Sequence, residues 1–540
     1  MDAFLSKHHV LFSLRHAKYL PTPYQAEDAN RMTLAYFCLS SLALLPDPST
    51  RSSPSPGSDP EPDSSRFHSS LDTMLRDVQR QGFVDWVYEQ QVEAGGFRGS
   101  DSVSAAFIQP SASVAATLDP PNIIQSYTAL LNLALLDDDL SRLNRAGLAR
   151  FVGECQCDDG SFSLFPGSFE PGDPRSTYSA FAVVSMLDDW SHIDVDRALD
   201  FLNSCRRYEG GFAQRPGAEA NAGPTYCAVA SFHLSGRLSH LPDPSLLLRW
   251  LVDRQVRPPS TSSLGLESPS TSDDDGDDDD GGEEPDEDEN GGSARGGPRI
   301  VKLDETAGFQ GRANKPVDAC YSFWNLAAIR LLSPSLFPTV VDASLNSHFL
   351  LHCQHPQFGG IARDPPFVDV PVPTREPASN PPSSSRRADD NVDDDDATGE
   401  NASTSVIDED ERKTSRARTK RVATGSKPDV YHTYLSLASL AIGNEARPEP
   451  GRRDLDRREQ VEDGSRTSRA QEPMEGRGSE ERNDPVDVER DREGEDRGDG
   501  APRIDLGPLD VAWNVEQGVA ERLRRRIRAL REQDLRGEEN

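Results

Sequence analysis

Asp318-Ala319-Cys320 places a carboxylate and a thiol two residues apart at the start of an apolar run, so both can face one ion. Zn²⁺ accepts Asp oxygen, Cys sulfur and His nitrogen in a tetrahedral site. His432 completes the set only if the fold brings two distant helix starts together; taken alone, it reads as a histidine packed in a core. Three protein donors with a fourth position open are the pattern of a catalytic rather than a structural zinc. Arg312 and Lys315 stand three apart just before the pair, and Tyr321 directly follows it. Cationic donors and a phenol beside a metal-bound thiolate suit a reaction in which a diphosphate departs as sulfur attacks carbon. The plainer alternative is a basic surface loop.

Elements able to position these residues recur along the chain. Glycine-centred turns at Gly95-Gly96-Phe97, Asp159-Gly160-Ser161-Phe162, Gly210-Gly211-Phe212, Gly308-Phe309-Gln310-Gly311 and Phe358-Gly359-Gly360 each precede an apolar helix. Those helices begin at Tyr127, Thr177, Thr225, Cys320 and Tyr431, and they are apolar nearly all round, as expected for burial on both sides. More polar helices between them, such as Arg145 to Gln156 and Asp196 to Arg206, form an outer layer. The alternation predicts an all-α ring of helical hairpins, either an open solenoid or a closed α/α barrel (toroid) around a central cavity. In the closed form Tyr127, Tyr178, Tyr226, Tyr321, Trp324 and Tyr431 stand near one rim; the plainer alternative is ordinary core packing. Cys320 and His432 hold the same place in their repeats, which is what allows them to meet.

Composition bounds the rest. With 58 basic and 91 acidic side chains the net charge is -33, which argues against a nucleic-acid binder. Only 35% of residues are apolar, too few for one globule of 540 residues, so the ordered repeats must carry long polar inserts. These are expected at about 46–66, 258–302 and 364–427 within a barrel domain spanning 1–445. Asp273 to Glu289 holds 13 carboxylates, so the acidity belongs to an insert more than to the core. Residues 446–540 read as a charged, mostly disordered tail with a docked or partner-induced basic helix at 506–531. Seven scattered cysteines, no apolar run long enough to span a bilayer and no export signal predict a cytoplasmic protein with reduced thiols and no stable membrane insertion. Asp137-Asp138-Asp139 could be mistaken for the protonating motif of a terpene cyclase, and reads instead as the cap of an outer helix.

The run Gly311-Arg312-Ala313-Asn314-Lys315-Pro316-Val317-Asp318-Ala319-Cys320-Tyr321-Ser322-Phe323-Trp324 closely resembles the zinc motif of CaaX protein prenyltransferase β-subunits. Arg31 to Phe37, Gly96 to Ser100, Asp138 to Arg142 and Pro428 to His432 resemble the type I geranylgeranyl branch in particular, as does His9-Val10 with Phe12. The resemblance covers the repeats from about residue 8 to 443 and misses the inserts and the tail. It implies an α/α barrel that pairs with a separate α-subunit, binds geranylgeranyl diphosphate and alkylates the cysteine of a C-terminal CaaX box, as on Rho-, Rac- or Cdc42-type small GTPases. Asp318, Cys320 and His432 match the zinc ligands, and the fourth position falls to the substrate thiol. Arg312, Lys315 and Tyr321 match the diphosphate binders, Arg175 an arginine near peptide and lipid, and Tyr127, Tyr178 and Trp324 the cavity aromatics.

Two positions carry the subtype. Thr33 stands where the farnesyl enzyme has a bulky Trp, which leaves room for one more isoprene unit. Arg363 falls where type I enzymes have Lys and farnesyl enzymes a Mg²⁺-binding Asp, so a guanidinium replaces the metal and Mg²⁺ is not required. Phe37 matches a wall of the pocket for the last CaaX residue. Tyr431 follows the farnesyl pattern, and Asn221 replaces a family histidine at the diphosphate. The alternatives are a farnesyltransferase β-subunit and a helical scaffold of the same fold without turnover.

Overall fold

The computed structural model describes residues 3–49, 67–101, 120–256, 308–371, 419–423, 426–446 and 504–538. In chain order its helices are α1 (Ser6–Lys18), α2 (Arg31–Leu44), α3 (Ser70–Met74), α4 (Asp77–Glu89) and α5 (Ile123–Leu135). There follow α6 (Arg145–Glu154), α7 (Pro174–Leu187), α8 (Val195–Ser204), α9 (Ala222–Leu234) and α10 (Pro244–Val252). The series ends with α11 (Ala319–Leu332), α12 (Phe337–Val340), α13 (Ala343–His352), α14 (Val430–Glu445) and α15 (Gln517–Glu538).

The apolar helices α2, α5, α7, α9, α11 and α14 each pack on the next, and α14 returns to α2. The ring is therefore closed, and of the two architectures left open by the repeats it is the α/α barrel. Helices α1, α4, α6, α8, α10 and α13 supply the outer layer; α8 shows why, with Ala198, Leu199, Phe201 and Leu202 buried and its other face polar.

Local chemistry sets where the inner helices start. Asn122, Asp173, Asn221, Asp318 and Asp429 precede α5, α7, α9, α11 and α14, and each accepts a backbone N–H of the first turn through its side chain. The glycine turns set how each outer helix hands over to the next inner one. Gly95 has φ +110°, and a Cβ there would overlap the Gly147 backbone at the start of α6. The residue that closes each turn, namely Phe97, Phe162, Phe212, Phe309 or Ile361, is fully buried. In three turns its N–H donates to a hydroxyl on the following inner helix: Ser126, Thr225 or Thr433.

His9 joins α1 to the last of these turns. Its Nε2 meets Gln354 Oε1 at 3.0 Å, and the Gly360 N–H lies 3.0 Å from its Nδ1. Burial pushes the imidazole down to about 4, so it is neutral in the fold. The unfolded chain takes up this proton near the ordinary pKa and the native chain does not. Stability from this residue is complete above about pH 6.5 and lost as pH falls towards 4, by at most about 3 kcal/mol. His9→Gln should flatten the melting temperature against pH in that window; an unchanged slope would show that His9 is not the titrating group.

Residues 366–426 form a separate compact unit in which β1 (Phe367–Pro371) and β2 (Thr419–Ala423) pair antiparallel, Phe367 opposite Ala423. Strands were not expected here, because the stretch lacks the alternation of a half-buried strand. The remainder of the three inserts lies largely outside the described residues, including the acidic run 273–289.

The tail departs furthest from expectation. The predicted helix at 506–531 is instead a tight hairpin, β3 (Leu509–Asp510) and β4 (Val515–Glu516), followed by α15 from Gln517. Val511 and Trp513 fit a helical spacing, but Asp510 Oδ1 accepts the N–H groups of Ala512 and Trp513 and Asn514 takes φ +54°, which closes a turn. The hairpin packs into the barrel core and α15 lies against α5 and α7. Asp137 does not cap an outer helix, since Asn144 caps α6; it pairs with Arg522 and Arg526 of α15.

Candidate metal and diphosphate site

The closed ring brings Asp318, Cys320 and His432 together, with one ligand atom from each within 4.8 Å of the others. Asp318 is the N-cap of α11, Cys320 its second residue and His432 the third residue of α14, so the neighbouring helix starts supply all three. Asp318 Oδ1 accepts the Cys320 N–H at 2.9 Å and stands 3.4 Å from His432 Nε2. The far side of the ring is fixed by Asp429, whose Oδ2 lies 2.7 Å from His432 Nδ1. A carboxylate on the outer nitrogen sets the tautomer and orientation of a metal-binding imidazole. Asp429 went unrecognised from sequence; an acidic residue three before the histidine, at the cap position, was its signal.

Electrostatics favour a positive charge at the centre. Burial pushes the Cys320 thiol up, to about 11, against the lowering contact with His432. Burial alone would push His432 down, yet its bonds to Asp318, Asp429 and Cys320 raise it to about 12. Burial likewise opposes ionisation of Asp318, but the His432 and Cys320 contacts hold it below the ordinary carboxylate value. An O, S, N donor set with an orienting carboxylate fits Zn²⁺.

Beside this cluster the loop before α11 carries Arg312 and Lys315. Gly311 lets the loop pass flat against the Tyr321 ring, where a Cβ would overlap it, and the Gly311 carbonyl accepts the Ala222 N–H at 2.9 Å. Asn221 Nδ2 thereby faces the Tyr321 hydroxyl at 3.5 Å, while its Oδ1 caps α9. Arg312 is paired with Glu219 at 2.9 Å, a partner not foreseen, and Lys315 is exposed. Arg363 is exposed and paired with Asp364, and its carbonyl accepts the Ala319 N–H beside Asp318 and Cys320. Arg175 is held by Asp173.

The aromatics form one connected cluster that differs in burial, with Phe37, Trp324 and Tyr431 only half-buried. Trp324 donates its Nε1–H to the Tyr431 hydroxyl at 3.3 Å, and Phe37 packs edge-on against Tyr431 with centroids 5.5 Å apart. Thr33 donates to Gln125 Oε1 at 3.0 Å, beside the first turn of α5. Tyr127, Tyr178 and Tyr226 are not at the rim. Each is the fifth residue of its helix, and with Tyr36 and Tyr434 they are buried. The last two carry no sequence signal that separates them from core.

A family profile described as the prenyltransferase alpha-alpha toroid domain matches residues 4–371 and 420–485. The geranylgeranyl transferase type-1 subunit beta of Dictyostelium discoideum is 29% identical over 451 residues, covering 80% of this chain and 89% of that protein. The Arabidopsis thaliana protein of the same name is 28% identical over 383 residues, or 67% of this chain and 80% of its own. A solved structure of Candida albicans protein geranylgeranyltransferase-I complexed with GGPP shares the fold, with TM-score 0.58, 18% identity, and coverage of 97% of this chain and 100% of that one. Among the described residues no helix is long and apolar enough to cross a membrane. With the profile matching well over half of its length, the chain belongs to the prenyltransferase alpha-alpha toroid family.

Proposed function

We propose that this chain is the catalytic β-subunit of a heterodimeric, zinc-dependent protein geranylgeranyltransferase of type I, acting on cysteines of C-terminal CaaX motifs. The observation that carries the reading is the Asp318, Cys320 and His432 cluster lying beside Arg312, Lys315 and Tyr321. The likeness to two type-1 beta subunits over most of their length supports the same assignment.

Zinc at these three residues would lower the pKa of a substrate thiol, so that a thiolate exists at neutral pH. The other parts belong to the protein. Asp318, Cys320 and His432 hold the ion, and Asp429 fixes the imidazole so that Nε2 faces inward. Arg312, Lys315 and the Tyr321 hydroxyl bind the diphosphate and stabilise the charge that grows on it as it leaves. Arg363, on exchanging Asp364 for the diphosphate, would add a positive charge that takes the place of Mg²⁺. Thr33, small and set beside α5, leaves space for the fourth isoprene, and Phe37 against Tyr431 walls the pocket for the terminal CaaX residue.

The test is competition. This chain, co-expressed with a prenyltransferase α-subunit, is given zinc, chelated Mg²⁺, farnesyl and geranylgeranyl diphosphates, and a peptide ending in CaaL. Selective geranylgeranylation is expected. Preferred farnesylation would favour the farnesyl reading, to which Tyr431 points, and no transfer by a folded heterodimer would favour the scaffold.

Asn221 offers a second check. Asn221→His should supply a donor able to carry charge, lowering the lipid KM about two- to tenfold. It also removes the cap of α9, at a cost of about 1 kcal/mol of stability. An unchanged KM would mean that position 221 does not touch the diphosphate.

A further inference from the structure

Arg254, just past the C-cap of α10, carries a positive charge that the fold buries without an ion pair. It is 9% exposed, and its guanidinium lies over the Trp250 ring at 5.0 Å. Its Nε–H donates to the Trp250 carbonyl at 3.3 Å, but Nη1 is buried with no hydrogen-bond partner among the described residues. A guanidinium stays protonated in a protein, so the cost of that unmade bond persists until an acceptor arrives. Burial lowers the pKa of Arg254, and the charges of Asp253, Glu209 and Glu219 raise it again. Asp253 is paired with Arg249 at 3.7 Å, Glu209 keeps one oxygen buried and unpartnered among the described residues, and Glu219 is paired with Arg312 at 2.9 Å.

Glu219 is thus the carboxylate common to both arginines. Its neighbour Ala220 packs with Trp250 about Gly211, where a Cβ would lie 2.8 Å from the Trp250 ring and 2.9 Å from the Ala220 Cβ. The backbone is held there by the bridge from Ala213 to Ala220, while the Glu219 side chain is 51% exposed and has room to turn. Glu209 lacks that freedom. Its turn is clamped on α10, since a Cβ on Gly210 would lie 2.7 Å from the Leu246 carbonyl oxygen. Two residues beyond Glu219, Asn221 faces the Tyr321 hydroxyl, so Glu219 also borders the anion site. A diphosphate that takes Arg312 leaves Glu219 as an unpaired carboxylate beside a polyanion, and like charges at such range repel. The hold on the anion therefore depends on where Glu219 goes.

We propose that Glu219 is a latch on the diphosphate site, which holds Arg312 while the site is empty and passes to Arg254 when a diphosphate takes Arg312. Arg254 is then a positioning residue: it touches no substrate and acts through Glu219. This rests on the diphosphate-binding part of the reading above. One ion pair is exchanged for another, and the unmade bond at Arg254 Nη1 is completed only in the occupied state. Departure of the diphosphate reverses the exchange, as Glu219 returns to Arg312 and helps to displace the leaving anion.

The experiment uses the full chain in its heterodimer and measures binding of inorganic pyrophosphate and of geranylgeranyl diphosphate by calorimetry, with Mg²⁺ chelated. Glu219→Gln frees Arg312 and is expected to tighten pyrophosphate about two- to fivefold, the range of a partly exposed ion pair. Arg254→Met keeps bulk over Trp250 but removes the receiving charge, and is expected to weaken pyrophosphate by a similar factor while the peptide KM stays unchanged. In the Glu219→Gln background, Arg254→Met should have no effect on pyrophosphate, a coupling that lost packing does not produce. Should Arg254→Met not fold, Arg254→Gln, which retains a donor for the Trp250 carbonyl, replaces it. Unchanged or weaker binding by Glu219→Gln would overturn the latch. An Arg254 effect that persists beside Glu219→Gln, or that disappears only beside Glu209→Gln, would overturn Arg254 as the receiver. If the parent heterodimer binds neither pyrophosphate nor geranylgeranyl diphosphate, the diphosphate reading fails and takes the latch with it; binding by the parent separates the two failures.

Discussion

Replacing His432 by alanine, or Cys320 by serine, should give a folded barrel that binds zinc at least a hundredfold more weakly and has no measurable prenyl transfer. Neither side chain holds the fold. His432 is a partly exposed residue in the first turn of α14, and Cys320 contributes mainly its sulfur to the cluster. Asp318 is a poorer first choice, since it also caps α11 and its loss mixes about 1 kcal/mol of helix stability into the result. Asp429→Asn keeps a capping oxygen but weakens the hold on Nδ1, for an expected loss of about 10- to 100-fold in metal affinity. Metal content of the purified heterodimer, measured beside its melting curve, checks all three. Full zinc in His432→Ala would remove His432 from the site.

The same cluster fixes a pH dependence. In the metal-free site Cys320 and His432 are both raised far above neutrality, so both carry protons at pH 7. Zinc bound by these residues would displace both, so its apparent affinity should rise with pH and its binding release about two protons per ion. Calorimetry in buffers of different ionisation heat counts them. Release of none would mean that these two residues are not ligands.

Ending the chain before Ile504 should have the other large effect: loss of the stable barrel. Trp513, Val515, Val519, Leu523 and Ile527 are buried against the core. Removing even one large buried side chain typically costs 2–5 kcal/mol. The phenols of Tyr36, Tyr127, Tyr178, Tyr226 and Tyr434, which donate to carbonyls of the hairpin, would lose their acceptors as well, at about 1–3 kcal/mol each where water does not replace them. The sum exceeds the 5–15 kcal/mol that holds a typical domain. Thermal unfolding of the truncated chain, with and without a synthetic peptide of residues 504–538, checks this, and recovery by the peptide is expected. A truncated chain that melts like the parent would show the tail to be dispensable.

The clustering of Asp318, Cys320 and His432 was legible because its elements are local: Asp-x-Cys opens one repeat and a histidine opens another, and the repeats supply the juxtaposition. Five of the six inner helices, α5, α7, α9, α11 and α14, were legible for a similar reason, each preceded by a glycine turn, whereas none precedes α2. What sequence hid was interaction across the chain. Nothing near Tyr36 or Tyr434 distinguishes a phenol that bonds Asn514 from one in an ordinary core. The two-residue strands of the tail are too short for any period to register, so Val511 and Trp513 were absorbed into the helix that follows. Asp137 was assigned by position to a helix start, whereas its partners Arg522 and Arg526 lie nearly 400 residues away.

Closure of the ring also fixes an order of assembly. Helix α2 finds its second neighbour only when α14 has been made, and the Tyr36 to Tyr434 bond spans 398 residues. Contacts of such separation form late, because a long loop must close before they repay its entropy. On the ribosome the first five inner helices emerge as an open arc with an apolar edge exposed, and the arc persists while the long polar inserts are synthesised. The hairpin comes later still, so a newly closed ring holds its tyrosines in water until the tail arrives. Nascent chains of this protein should therefore depend on chaperones most strongly between synthesis of α11 and synthesis of α15.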